Sequence, residues 1–402
     1  MKKLFGLILL CTLAFAEVET EGYIGLDSQS YSKKDSKHSY NLTLQQQLKL
    51  TYTNELLSSV VELYAQEDST DFTNKKDNDR TFTRVNEAYM LYEFDEDQIL
   101  FGKNIRFWGA LEANNIVDTF NIQDSRNDPL RTDKIGAYNF EYSHYFEESE
   151  FSFITKLYEQ KNKFSSTPYM YSALNEGESL EDKLDSEKSL YRPTIYLKYS
   201  GSISEDYALD YAFIYQNGYD SQRYSTKSGD IYTQHAYLVN KFMTYNTMVI
   251  DSTLYKLELS YTNVTNNNII SNYIHAAVGV EHTLEQLEDG TEIGLIGEYY
   301  YYDTVDDNKL SDIDLNQSFQ NDLFLGLRYS LNDEADTSAV GGVVLDTQYE
   351  EQSYYVEYET RVLDTFKLKL DARYIEPSTS HNTTFAKQGR QHRFGFNISY
   401  HF

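Results

Sequence analysis

Apolar and polar residues alternate with a period of two along most of this chain. In YNLTLQQQLKLTY, Tyr40, Leu42, Leu44, Leu48, Leu50 and Tyr52 share one parity, and Asn41, Thr43, Gln45, Gln47, Lys49 and Thr51 the other. The segments YALDYAFIY (207–215), LYKLELSY (254–261) and FKLKLDARY (366–374) repeat the pattern. The chain also ends on it, with Phe394, Phe396, Ile398, Tyr400 and Phe402 opposed to Gly395, Asn397, Ser399 and His401. Side chains two apart share one face of a strand, so the pattern predicts strands nearly end to end and excludes a helical fold.

A soluble sandwich has the same period, and three features separate it from a barrel. Tyr and Phe gather at the ends of the apolar faces, where a membrane–water interface favours rings with one wet end. Short acidic connections (FDED at 94–97, SISED at 202–206, NDEAD at 332–336) alternate with long polar ones, as in barrels with short periplasmic turns and long extracellular loops. No break divides the strands into two sheets. The expected fold is therefore all-β, a transmembrane antiparallel up-and-down β-barrel. Strands are expected from near Glu21, Ser39, Leu57, Thr81, Gln98, Ile135, Glu150, Tyr191, Asp206, Tyr232, Ser252, Tyr273, Thr291, Asn321, Ser338, Tyr354, Phe366 and Gln391. That makes about eighteen. Sixteen is the other count, because the alternation blurs around FMTYNTMVI (242–250).

Composition adds the compartment. MKKLFGLILLCTLAFA has two lysines, a short apolar run and an Ala-Phe-Ala exit, the layout of a cleaved secretory signal peptide over 1–16. A lipoprotein signal at Cys11 fits less well, since that cysteine lies inside the apolar run. Residues 17–402 then form a single barrel domain, free of cysteine, that relies on its fold without disulfides. No later segment holds eighteen consecutive apolar residues, so no membrane helix is expected. The formal charge is −28, and loss of Lys2 and Lys3 with the leader takes it to −30. A chain this acidic is not expected to bind nucleic acid.

The polar parity is assigned to the lumen. Its acids (among them Glu62, Glu87, Glu141, Glu258, Glu298 and Glu357) nearly balance its bases (among them Lys49, Arg106, Lys156, Arg328, Lys369 and Arg373). Most of the negative charge then sits in loops. Such a wall suits a water-filled pore for small polar solutes, with a mild cation preference from the acidic mouth. The pore-lining and constriction candidates are Glu87, Arg106, Asn115, Asp118, Asp124, Arg126, Glu258, Arg328, Glu357 and Arg373.

The stretch EAYMLYEFDEDQILFGKNIRFWG carries Gly102-Lys103-Asn104 and Trp108-Gly109, and Asn115, Asp118 and Asn121 follow. It resembles a broad group of Gram-negative outer-membrane channel barrels that includes alginate-export-type proteins. The resemblance implies a porin-like channel in which loop 108–133 folds inward and narrows the pore. Pro129 stands later than the Asn-Pro of those relatives. The last strand, ending in Phe402, resembles the C-terminal signal of outer-membrane barrels, which implies the barrel assembly machinery as a partner. Outer-membrane lipid and lipopolysaccharide would surround the barrel, and porins of this size commonly form homotrimers. Two alternatives remain: a substrate-selective channel, and a non-conducting structural or adhesive barrel. No His has metal-ligand spacing such as H-E-x-x-H. No metal, cofactor or enzymatic activity is expected.

Overall fold

Strand closure can be followed residue by residue in the computed structural model, which describes residues 18–31, 39–73, 80–128, 133–164, 177–204, 207–284, 290–305, 319–381, 383, 385–386 and 389–402. The expected leader and Pro129 lie outside these residues. Eighteen strands form the wall. They are β1 Val18–Tyr31, β2 Tyr40–Thr53, β3 Leu57–Asp68, β4 Phe82–Phe94, β5 Asp97–Asn104 and β6 Ala137–Tyr145. Next come β7 Ser149–Lys156, β8 Thr194–Ile203, β9 Ala208–Tyr219, β10 Leu238–Ile250, β11 Thr253–Thr265 and β12 Tyr273–Thr283. The last six are β13 Glu292–Thr304, β14 Asn321–Ser330, β15 Ser338–Asp346, β16 Gln352–Val362, β17 Phe366–Glu376 and β18 Gln391–His401. Each pairs antiparallel with the next. β18 then pairs with β1, from Tyr23 opposite His401 to Tyr31 opposite Arg393, and closes the cylinder. Closure leaves the described wall without an unpaired edge strand.

Parity decides which side chains meet lipid. Met90, Phe101, Phe213, Phe242, Val278, Leu325, Val356 and Phe394 are exposed on the outside. An apolar surface of that extent is stable only against lipid. Aromatic pairs mark its two rims, with Phe366–Tyr400 at one end and Tyr354–Tyr374 at the other. The short connections turn tightly, and Asp95, Asp251, Leu363 and Asp364 adopt positive φ there.

The strand starts fall close to those expected, with one clear departure. The tenth strand is expected near Tyr232, but the wall resumes only at Leu238. Ile231–Ala236 instead pairs outside the wall with Tyr224–Ser228 and Ser179–Ser186. Two strands of different sheets follow each other almost without a gap, so the alternation changes phase. On β4 a bulge opposite Glu62 inserts Asn86. Arg84 and Asn86 reach inward before it and Glu87 and Tyr89 after it, because an extra residue shifts the parity by one.

Candidate pore and its inner loop

The described parts of the connection between β5 and β6, residues 105–128 and 133–136, run into the barrel. Its entry turns at Gly109, whose φ of +132° suits glycine alone, and a Cβ there would collide with the Asn115 side chain. Asn115 Oδ1 accepts the Leu111 N–H at 3.0 Å, which closes the turn on itself. On either side of this hinge Trp108, Leu111, Ile116, Val117 and Phe120 are buried. They pack on inward-facing Ile154, Tyr196, Ile214, Met243, Ala277, Ile296, Tyr300 and Phe324, contributed by β7–β10 and β12–β14. Trp108 and Phe120 both meet the Tyr196 ring with centroids 5.4 Å away.

Polar pins fix the loop's height. Glu258 on β11 accepts the N–H groups of Ala110 (2.7 Å), Leu111 (3.3 Å) and Val117 (3.2 Å). Glu298 on β13 accepts those of Glu112 (2.7 Å) and Ala113 (3.0 Å), and also the Tyr300 hydroxyl at 2.6 Å. The Asn114 N–H donates to Tyr300 Oη at 3.1 Å. Arg328 on β14 bridges Glu112 on the loop and Glu281 on β12, each at 2.5 Å. A loop has no ladder to satisfy its backbone, and here wall carboxylates accept its N–H groups in charge-assisted bonds.

The second half of the loop returns along the opposite wall. Asn121 donates to the carbonyls of Asn104 (3.1 Å) and Ile135 (3.0 Å) and accepts the Arg106 N–H at 2.8 Å. Asp124 is held by Arg126 at 2.6 Å and by Arg84. Asn127 and Gln66 exchange amide hydrogen bonds of 2.7 and 2.9 Å. Asp128, fully buried, pairs with Arg393 on β18 and lies 3.7 Å from Arg373 on β17.

These contacts sort the expected pore residues. Glu357 and Arg328 are half-exposed on the lumen side, and Arg373 is more covered. Glu87 is half-buried and accepts the Ile105 N–H at 2.8 Å. Arg106 pairs with Glu141 on β6, and Arg126 is folded onto Asp124. Asp118, Asp124 and Glu258 do not line water. Asp118 is buried against Lys134 and the Trp108 N–H, and burial pushes its carboxyl above the ordinary aspartate range despite Lys134. Asp124 and Glu258 are closed over by the loop they anchor. Asn115 serves the loop's own hinge. The reason is shared: each spends its polar atoms on the loop.

The sequence reading missed the apolar inner wall. Ile154 lies between Ser152 and Lys156 on the polar parity, Tyr196 between Thr194 and Lys198, and Phe324 between Asp322 and Gly326. One apolar residue at the same level on neighbouring strands was the available signal.

Elsewhere the inner face stays wet. From β6 to β13 the inward residues of the outer half are buried, whereas on β16 Ser353, Tyr355, Glu357 and Glu359 remain half-exposed. Val340, Gly342 and Val344 on β15 and Lys367, Lys369, Asp371 and Arg373 on β17 do the same. Lys367–Glu359 and Lys369–Glu357 ion pairs, both 2.5 Å, cross this strip.

A closed cylinder of eighteen antiparallel strands, apolar outside and charged inside, is an outer-membrane β-barrel of porin type. Its fold is similar to solved outer-membrane structures. Pseudomonas aeruginosa OccK11 (OpdR) matches with a TM-score of 0.54 and 9% identity over 96% of each chain. Acinetobacter baumannii OccAB1 matches at 0.57 and 7% identity, over 96% of this chain and 97% of that one. OccAB3 from the same organism matches at 0.56 and 10%, over 96% and 100%. No protein-family model and no curated protein matches the sequence. At such identities the likeness is one of fold.

Proposed function

We propose that the barrel is a passive diffusion channel for small hydrophilic solutes, with a mild preference for cations. The observation that carries this reading is the half-exposed strip of inward-facing residues on β15–β17, which the loop leaves uncovered. The loop packs against the wall from β7 to β14 and reduces the lumen to an off-centre passage. Its backbone pins, Glu258 and Glu298, then act as positioning residues for a constriction. Charges facing the strip are paired across it, so they hold water and set a transverse field with little net sign. The cation preference comes from the acidic excess of the chain outside those pairs. Passage requires no energy input in this reading.

Reconstitution into planar bilayers tests it. Stepwise conductance in potassium chloride is expected, with a reversal potential in a salt gradient that favours potassium. A barrel that inserts and stays silent would end the channel reading.

A further inference from the structure

A cavity of about 210 Å³ opens on the inner face of β1–β4, lined by Tyr23, Asp27, Gln29, Gln45, Gln47, Tyr64, Arg84, Asn86, Asn127 and Asp133. Gly25 pairs with Gln45 and stands on the same parity as Tyr23 and Asp27, and it adds no side chain of its own between those two. The cavity lies below the loop segment that carries Asn127. We infer that it is a binding subsite for a neutral polyhydroxylated solute, such as a sugar or polyol, on its way through the channel. The inference rests on the channel reading, whose solute class it names.

Chemistry of the lining is the argument. Five side-chain amides outnumber three charged groups. Asn86 is spent on Arg84 and Glu62, Asn127 on Gln66, and the Gln29 oxygen on the Tyr31 hydroxyl, whereas Gln45 and Gln47 present donors and an acceptor together, which matches hydroxyl groups that also do both. Gln45 and Gln47 are half-exposed on the lumen face, about 6.7 Å apart along β2, and have no hydrogen-bond partner among the described residues. Tyr23 adds an aromatic body against which the C–H face of a sugar ring packs. Charge disfavours an anion: Asp27 and Asp133 are two carboxylates against one guanidinium. That guanidinium is already engaged by Asn86 Oδ1 at 2.5 Å and by Asp124, and it lies over the Tyr64 ring at 5.1 Å. The volume is below the ~300–1,000 Å³ of drug-sized pockets and admits one ring of a disaccharide such as sucrose, the other ring staying in the lumen.

The test uses the full barrel in planar bilayers with sucrose, sodium gluconate and lysine as neutral, anionic and cationic probes, each titrated against the ion current. Saturable block by sucrose, with gluconate at least about tenfold weaker, is the expected result. The Q45A/Q47A variant is expected to raise the half-blocking sucrose concentration about tenfold, the loss of roughly one or two net hydrogen bonds. Conductance without saturable sucrose block, equal block by gluconate, or block by lysine alone each overturns the subsite and leaves the channel standing. Calorimetric titration of the detergent-solubilised barrel with sucrose separates the two claims. Sucrose binding in a barrel that never conducts would keep the subsite and end the channel reading. The wild-type comparison decides even if the double variant fails to assemble.

Discussion

Glu258 collects three N–H groups from a loop 141 to 148 positions upstream, so one side chain decides whether that segment has a fixed height. Glu258→Ala would leave the N–H groups of Ala110 and Val117 without their acceptor under an apolar cover, while Leu111 keeps Asn115 Oδ1. That costs on the order of 3 kcal/mol. The variant is expected to unfold at lower urea and to show larger, noisier unitary currents. Glu258→Gln, which keeps one carbonyl but turns an NH2 toward N–H donors, should fall between. Wild-type current and midpoint in Glu258→Ala would remove the residue from any positioning role. Gly109 acts on the same segment from the hinge. Gly109→Ala forces an L side chain to φ +132° and onto Asn115, at a cost of about 1–3 kcal/mol. Because both changes free one loop, their effects on stability should add to less than the sum of the singles. Strict additivity in a double-mutant cycle would mean that hinge and pin do not share it.

At the scale of elements, the wall and the loop were not equally legible. A lipid-facing side chain pays immediately for being polar, so Leu, Phe and Tyr on one parity marked β2, β9, β11 and β17 in the sequence to within a few residues. The phase slips where a second sheet intrudes, at Ile231–Ala236, and at the β4 bulge that inserts Asn86. Lumen parity carries a weaker signal, since it tolerates Ile154 or Met243 wherever something packs on them. Asp118, Asp124 and Glu258 were read as facing water because what covers them, Lys134, Arg84 and the loop backbone, is set by tertiary contacts that no periodicity encodes. Wall and loop are also separable energetically, for the eighteen ladder pairings involve no residue of 110–117. A chain with Gly109 joined directly to Asp118 is therefore expected to retain the heat-modifiable gel migration of a closed barrel. Its conductance should rise severalfold, while bared Tyr196, Ile214 and Tyr300 lower its resistance to denaturant. Unchanged conductance after this deletion would place the loop outside the ion path.

For the whole molecule, closure and charge are the two global properties. Closure ends on Phe402, which exchanges backbone hydrogen bonds of 3.0 Å with Gly22 in each direction, its ring lying against that glycine. Removal of Phe402 should lower the yield of assembled barrel in cells, read as the heat-modifiable fraction in outer membranes. An undiminished fraction would show that the last rung is dispensable. Charge divides into two populations that salt treats differently. Inside, Lys367–Glu359 and Lys369–Glu357 are contacts of 2.5 Å, far shorter than the screening length at 0.1 M salt, and they nearly cancel. The remaining excess behind a chain charge of −28 acts on the passage from a distance. The Debye length is ~10 Å at 0.1 M salt and ~3 Å at 1 M, so that distant field reaches the ions at low salt and fades at high salt. The potassium-to-chloride permeability ratio, taken from reversal potentials, is therefore expected to exceed one at 0.1 M and to fall toward one at 1 M. A ratio independent of salt would place the selecting charges within contact distance of the ions, inside the strip itself. Chloride preference at 0.1 M would mean that Arg328, Lys367 and Arg373 outweigh the acidic surround, and the mild cation preference would then be wrong.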